Sequence, residues 1–385
     1  MDNLVEYKIA EKVSQKGGKT YYVGGFVRDS LLGIDNKDVD IEVHGISPET
    51  LYNILLEVGE PLSYGKSFGI YSLKGMNIDI AMPRIEKNTG RGHKDFEVYV
   101  DPYIDLTTAI KRRDFTINAI YKDVLSGEII DPFNGIKDLE NKTIRHIDDV
   151  CFVEDSLRVF RAAMFASRFN FDIAKETIDL CKTIDTKTLS KQRVEEELKK
   201  ALLKSDKPSL LFKYLKQMNQ LDYWFSGINT ELIDKAIIYK NNINHLYEYL
   251  LSSLCIYSEY DIKTIVDENN IVDYVNNMKN NIDVDINNDY EINKLFFSLR
   301  NINDYIYLKM CINDSYNYLL DKVKPYEELI KHPYVMGKDL VENGLEPGEY
   351  FTIALNYAND LRLSGINKEE ALHKTIQYIK KITNN

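Results

Sequence analysis

Apolar and polar positions alternate with two different periods along this chain of 385 residues. After an amphipathic first helix, Thr20-Tyr-Tyr-Val-Gly-Gly25 is a short β-branched and aromatic run stopped by two glycines, which predicts a strand. Positions 28 to 32 read as one helical stretch ended by Gly33. Asp38-Val-Asp-Ile-Glu-Val43 alternates acidic and apolar residues, the period of a strand with one polar face. Two more alternating segments, 69–73 and 77–82, are expected to pair beside it. From Glu154 onward apolar residues recur at helical spacing and glycine becomes rare, so 150–385 is expected to be nearly all helix. Asn-rich stretches near 241–244, 269–288 and 301–303 read as interhelical turns. The pattern predicts an α+β protein: a mixed sheet with helices first, helices alone afterwards.

Composition narrows the class. With 44% hydrophobic and 28% charged residues the chain is globular, which excludes a largely disordered or collagen-like chain. It has no run of apolar residues long enough to span a membrane. Its start, MDNLVEYKIAEK, lacks the apolar core of a secretory signal. Cys151, Cys181, Cys255 and Cys311 are widely spaced, which argues against a zinc knuckle or disulfide framework and for a reduced, cytoplasmic home. The net charge of -11 taken whole argues against a nucleic-acid partner. Its distribution does not. Residues 151–220 carry 14 Lys and Arg against 10 Asp and Glu, whereas 221–330 carry 9 against 18. The first stretch, with Lys187, Lys191, Arg193, Lys199, Lys200, Lys204 and Lys207, is a basic belt or a solvated helix face. The second is expected to face away from any RNA.

Several blocks carry chemistry. Gly17-Gly-Lys-Thr20 ends like a phosphate-binding P-loop, but it precedes a strand and has Val13 where that motif needs glycine, so it reads as an ordinary loop. Val23-Gly-Gly-Phe-Val-Arg-Asp29 is different, because two glycines after a strand let backbone N–H groups approach an anion. On the next strand Asp38 and Asp40 point to one face, where they repel unless a cation lies between them. Hard oxygen ligands of this kind suit Mg²⁺ or Mn²⁺, with a nucleoside triphosphate completing the shell. Lys111-Arg-Arg-Asp-Phe-Thr-Ile-Asn-Ala119 presents three consecutive cations, apt for a triphosphate or simply a solvated basic turn. In Glu154-Asp-Ser-Leu-Arg158-Val-Phe-Arg161, positions 155, 158 and 161 fall on one helix face. Such residues either stabilise the helix start or read a base, a carboxylate accepting from an exocyclic amine while a guanidinium donates beside it. Cytosine and adenine share that edge.

In this order and spacing the blocks resemble the class II tRNA nucleotidyltransferase and bacterial poly(A) polymerase family, within the DNA polymerase β-like superfamily. The likeness runs through Gly24-Gly25, Arg28-Asp29, Asp38-x-Asp40, Arg112 to Ala119, Asp131-Pro-Phe-Asn-Gly-Ile-Lys-Asp-Leu139, Glu154-Asp155 with Arg158, and Ser190-Lys-Gln-Arg193 with Glu197-Leu198. A weaker likeness continues at Met336-Gly-Lys-Asp-Leu340. The resemblance implies a nucleotidyltransferase head over 1–140, a neck over 141–205, a helical body over 206–330 and a tail over 331–385. It implies that Asp38 and Asp40 hold two divalent ions, and that Asp79 is either the third carboxylate or an ordinary polar strand residue. Gly24, Gly25 and Arg28 are then expected at the phosphates. Arg112, Arg113, Asp114 and Asn118 are expected at the triphosphate and ribose, with Asp155 and Arg158 at the base, Glu154 fixing their helix start and Arg161 beside them. Lys191, Arg193, Lys199 and Lys200 are the expected RNA contacts. The implied substrates are ATP, CTP and the acceptor stem and 3′ end of tRNA, with no membrane or protein partner.

Two departures stand out: Met164 where many members carry a third arginine, and Gln192 where glutamate is usual. No His-Asp dipeptide is present, so the phosphohydrolase domain of some relatives is not expected. A long polar segment, 84–105, is expected to be the flexible loop that the family needs for adding the terminal A. Tyr64-Gly-Lys-Ser-Phe-Gly-Ile-Tyr71 lacks the paired basic residues of poly(A) polymerases. The reading is addition of C, C and A to tRNA. A-only addition, a poly(A) tail and a non-catalytic RNA-binding protein are the alternatives.

Overall fold

The structure is a computed structural model and describes residues 4–63, 69–88, 96–332 and 334–383. It divides into two compact units, Met1–Trp224 and Phe225–Asn385.

The first unit begins with α1 (Val5–Gln15), β1 (Lys19–Tyr22), α2 (Gly24–Leu31), β2 (Val39–His44) and α3 (Pro48–Val58). Then come β3 (Pro61–Ser63), β4 (Ile70–Leu73), β5 (Ile78–Ala81), β6 (Arg84–Asn88), β7 (Phe96–Val100) and α4 (Leu106–Lys111). A 3-10 turn at Thr116–Asn118 leads to β8 (Tyr121–Asp123) and β9 (Ile129–Ile130). Seven strands form one sheet in the order β3-β4-β5-β2-β1-β8-β9. Within it β2 and β5 run parallel, while β1 is antiparallel to both β2 and β8.

Strand alternation sorts the two faces. Ile41 and Val43 of β2 pack with Ile80 of β5 against Ile9 and Val13 of α1 and Leu51 and Leu55 of α3. Each such fully buried branched side chain contributes about 1.5–3 kcal/mol. The intervening residues, Asp40, Glu42 and His44, take the opposite face. Ser47 caps α3 by accepting from the Thr50 N–H, with Pro48 at the first helical position.

The rest of the unit is α5 (Gly135–Glu140), β10 (Thr143–Ile144), α6 (Asp149–Val153), α7 (Leu157–Phe169), β11 (Asp172–Ile173), α8 (Lys175–Cys181), α9 (Lys191–Lys204) and α10 (Ser209–Gln217). The helical half is thus interrupted by a short parallel pair, β10 with β11. The Asp131-Pro-Phe-Asn-Gly block has a local cause. The Asp131 carboxylate accepts from the N–H groups of Gly135 and Ile136 at 2.7 and 2.9 Å and so organises the start of α5. Thr116 then donates to Asp138 at 2.7 Å. Gly135 lies so close to the Thr116 carbonyl that no side chain fits there.

The second unit is helical. It comprises α12 (Ile233–Ala236), α13 (Leu246–Cys255), α14 (Asn269–Asn281), α15 (Asp289–Ser298), α16 (Ile302–Ile312), α17 (Leu319–Lys331), α18 (Gly337–Glu342), α19 (Glu349–Leu363) and α20 (Lys368–Thr383), with α11 (Leu221–Phe225) before them at the boundary. No helix of the described residues is long and apolar enough to cross a membrane.

Three sequence expectations are corrected. Residues 269–281 form a helix instead of a turn, because Ile271, Val272, Tyr274, Val275 and Met278 bury one face and override the weak helix propensity of asparagine. Helix α2 begins at Gly24, so the two glycines are its first turn and not a loop before it. The arms of the polar segment 84–105 pair as β6 and β7, from Arg84 opposite Val100 to Asn88 opposite Phe96; its tip, 89–95, lies outside the described residues. Residues 64–68 of the Tyr64–Tyr71 stretch also lie outside them.

Gly135→Ala should destabilise the first unit by about 1–3 kcal/mol, since the added methyl meets backbone as well as Ile120 Cγ1 at 2.8 Å. Thermal unfolding checks this, and an unchanged midpoint would contradict the close approach.

Candidate active site

The carboxylate edge follows from register. In the parallel pairing of β2 with β5, Asp40 stands directly opposite Asp79. Asp38 precedes β2 and is exposed. Like charges side by side on a sheet repel. Burial, reinforced by the charges of Asp79 and Asp38 against the pull of Arg113 and Arg28, pushes the Asp40 carboxyl up to about 6. The donors are all oxygens, the chemistry a hard divalent cation prefers. Among the described residues no three His, Cys, Asp or Glu groups converge tightly enough to hold an ion alone. Asp38, Asp40 and Asp79 therefore fit a cation only if another oxygen-rich group, such as a polyphosphate, completes its shell.

Gly24, buried at the start of α2, has a φ of 63°, a conformation that disfavours side chains. A Cβ there would come within 3.2 Å of Arg113 Nη1 and 3.9 Å of Asp40 Oδ2. Arg113 itself is fixed from beneath. Its Nη2 donates to Glu42 at 3.1 Å, its Nε to the Tyr121 hydroxyl at 3.0 Å, and its guanidinium lies over the Tyr121 ring. Glu42 also accepts from Tyr121 at 2.9 Å and faces His44 Nε2 at 2.8 Å. Burial opposes its charge, but His44, Arg113 and Tyr121 together hold the Glu42 carboxyl below the usual carboxylate range. Sequence reasoning passed over Glu42, His44 and Tyr121. The signal for the first two was present, since period-2 alternation places positions 38, 40, 42 and 44 on one face.

Arg28 is placed elsewhere than the sequence suggests. It is only 3% exposed and does not form part of the open rim. Its Nε donates to Asp29 at 2.7 Å and its Nη1 to Asn118 Oδ1 at 2.6 Å, and the guanidinium lies over the rings of Phe165 and Phe169. Asn118 passes the connection on by donating to Asp114 at 3.0 Å. Asp114 also accepts from Arg161 Nε at 2.8 Å. Burial would raise the Asp114 carboxyl, yet Arg161, Asn118 and Arg158 hold it below its ordinary value. This network joins α2, the 3-10 turn and α7.

The third group surrounds a cavity of about 350 Å³ lined by Glu42, Arg84, Arg112, Arg113, Glu154 and Arg158, among others. Glu154 caps the end of α6, and α7 starts only at Leu157, so Asp155 precedes that helix. The expected single row of Asp155, Arg158 and Arg161 therefore does not form. Arg158 donates to the carbonyls of Cys151 at 2.6 Å and Arg112 at 2.8 Å, and Arg161 turns to Asp114. Asp155 is engaged by Arg193 Nη2 of α9, both distances being 3.1 Å. Arg112 and Glu154 approach to 3.7 Å. Lys191, Lys199 and Lys200 share α9 with Arg193, and Lys200 pairs with the buried Glu197 at 2.7 Å. Met164 is buried in the core behind α7, whereas Gln192 is exposed.

The site thus combines an acidic strand edge, a helix that opens on glycine and an arginine-lined cavity. Residues 20–145 match the family model of the Poly A polymerase head domain. The Multifunctional CCA protein of Nitrosomonas europaea is 41% identical over 207 residues, covering 53% of this chain and 48% of that protein. The CCA-adding enzyme of Francisella tularensis subsp. novicida is 37% identical over 242 residues, 59% of this chain and 63% of that protein. The chain spans about half the length of the curated relatives it matches. Among solved structures, the Thermotoga maritima CCA-adding enzyme complexed with tRNA shares the fold at 22% identity, a TM-score of 0.68, and coverage of 97% of this chain and 94% of that one. The Bacillus stearothermophilus CCA-adding enzyme in complex with CTP does so at 22% identity, a TM-score of 0.71, and 98% coverage of both. Over residues 20–145 the chain is similar to the Poly A polymerase head domain, and its similarity to the curated CCA proteins extends over little more than half of it.

On the triphosphate role proposed below for Arg113, Glu42→Gln should weaken nucleoside triphosphate binding more than it slows the bound complex, because Arg113 loses its charged partner. An increase in KM of about five- to tenfold, the worth of one charge-assisted hydrogen bond, with a smaller change in kcat is expected. An unchanged KM would contradict this role.

Proposed function

We propose that the protein adds C, C and A to the 3′ end of tRNA without a template, using CTP and ATP. The observation that supports this most is the Asp40–Asp79 pairing beside Gly24 and Arg113, which presents repelling carboxylates next to a fixed guanidinium. In the reaction the RNA 3′-hydroxyl gives up its proton to solvent, its oxygen bonds to the α-phosphorus, the bond from that phosphorus to the bridging oxygen breaks, and pyrophosphate leaves. Asp38 and Asp40, with Asp79, would hold Mg²⁺ or Mn²⁺, which supplies activation of the hydroxyl and neutralisation of the triphosphate.

The chain's own groups do the rest. Gly24 and Gly25 leave room for phosphate oxygens at the start of α2, and Arg112 and Arg113 neutralise them. Arg28, Asp114, Asn118 and Arg161 hold the frame on which these groups stand. Asp155 and Arg158, beside Glu154, read the base by its amine-and-acceptor edge, which selects C and A. Since both are engaged within the protein, base entry exchanges the Arg193 contact and the backbone contacts of Arg158 for contacts with the nucleotide. Lys191, Arg193, Lys199 and Lys200 meet the acceptor stem through its backbone and shape. The functional division is a head over 1–140, a neck over 141–205, a body over 206–330 and a tail over 331–385. Its substrate puts the enzyme in the cytoplasm.

The description of the matched head favours one second reading, a poly(A) polymerase. Product length separates the two. Incubated with tRNA lacking its 3′ end, a divalent ion and labelled nucleotides, the protein should incorporate CTP, then ATP, and stop after three additions. A long A ladder would select the second reading, and ATP use only on tRNA ending in CC would select A-only addition. Asp40→Ala should lower transfer by far more than about tenfold while tRNA binding persists. A smaller loss would sink the metal assignment. Arg158→Ala should relax exclusion of GTP and UTP; unchanged exclusion would contradict base reading by this residue.

A further inference from the structure

The helical second unit contains a cleft of about 800 Å³, lined by residues of α15, α16, α17 and α19 and the segments between them. That volume falls within the roughly 300–1,000 Å³ of small-molecule sites. Its chemistry differs from the acidic region around it. Arg362 lines it together with Arg300, whose Nη2 pairs with Asp273 at 3.0 Å, and Glu327 is the single lining carboxylate of the described residues.

Arg362 is 9% exposed. Its Nη2 donates to the carbonyls of Ile330 and His332, which fix the guanidinium in place. Its Nε, also buried, has no hydrogen-bond partner among the described residues. A buried donor without an acceptor is unfavourable and marks a place where one is expected to bind. The guanidinium lies 4.9 Å from the centre of the Tyr334 ring, which is nevertheless 51% exposed. Phe297, 53% exposed, is the second aromatic at the opening. Asn359 precedes Arg362 by three residues on α19 and so shares its face, and Asn303 lies across the cleft.

Exposed rings, amides and guanidinium groups together match the parts of a nucleotide. The rings offer a stacking platform for any base, the amides meet its edge, and the arginines meet its phosphate. We propose that this cleft is a second nucleotide site, separate from the carboxylate edge, which takes one nucleotide with its base against Tyr334 and Phe297 and its phosphate toward Arg362. The nucleotide is either an unpaired residue of a bound RNA or a free nucleoside phosphate. Only the RNA source rests on the function proposed above. The Asn-rich stretches at 241–244 and 301–303 thereby acquire a second use, because Asn244, Asn301 and Asn303 all border the cleft.

Ultraviolet cross-linking of the full chain tests the site. The protein is irradiated with labelled tRNA lacking its 3′ end and, separately, with labelled ATP and CTP, and the adducts are mapped by peptide. An adduct at Phe297 or Tyr334 with the tRNA supports the site and assigns it to RNA; one with the free nucleotides supports it and assigns it to them. Phe297→Ala, at an exposed position, should reduce that adduct and the matching affinity by about fivefold or more, as expected for losing a stacking ring. Asn359→Ala supplies a variant that leaves both rings in place and should weaken the same affinity. No adduct in this cleft with any probe, with both variants binding like the parent, overturns the proposal. Adducts confined to the head in that case would leave the transferase reading standing, whereas adducts in neither unit would remove both.

Discussion

The head depends on an unfavourable contact that its sheet makes unavoidable. Parallel pairing of β2 with β5 sets Asp40 opposite the exposed Asp79, and burial of Asp40 with the charge of Asp79 raises the Asp40 carboxyl. The same alternation that turns Ile41 and Val43 into the core turns Asp40 and Glu42 the other way. The core therefore fixes the juxtaposition, which a bound cation would relieve. Arg113 gives partial relief only, since Glu42 already claims one of its donors.

A second constraint keeps the edge in place. The sequence of contacts from Asp29 through Arg28, Asn118 and Asp114 to Arg161 crosses from α2 to α7. Buried charges of this kind are tolerated when every partner is present, and removing one leaves the others stranded. Phe165 and Phe169 cover the Arg28 guanidinium and shield the connection from water. Residues that look from the sequence like phosphate and ribose contacts thus serve first as the frame of the site.

Much of this was legible in the chain. The strand carrying Asp40, its neighbour carrying Asp79 and the helical texture after Glu154 all follow from periodicity. What the sequence leaves open is which partner a charged side chain takes. Spacing of three residues put Asp155, Arg158 and Arg161 on one face, but the break before Leu157 is set by the cap of α6 and by contacts from distant segments. Arg193 reaches Asp155 from 38 residues away, which no local pattern encodes. Likewise, asparagine content predicted a turn at 269–281, where burial of one apolar face decides for a helix.

On the proposed function, the carboxylate edge and a bound triphosphate should together form one cation site, neither sufficing alone. Titration of Mn²⁺ followed by electron paramagnetic resonance tests this most directly, with and without ATP, on the parent protein and on Asp40→Asn. Mn²⁺ uptake should strengthen markedly when ATP is present and be lost in the variant. Uptake that is indifferent to ATP, or that survives Asp40→Asn undiminished, would contradict it.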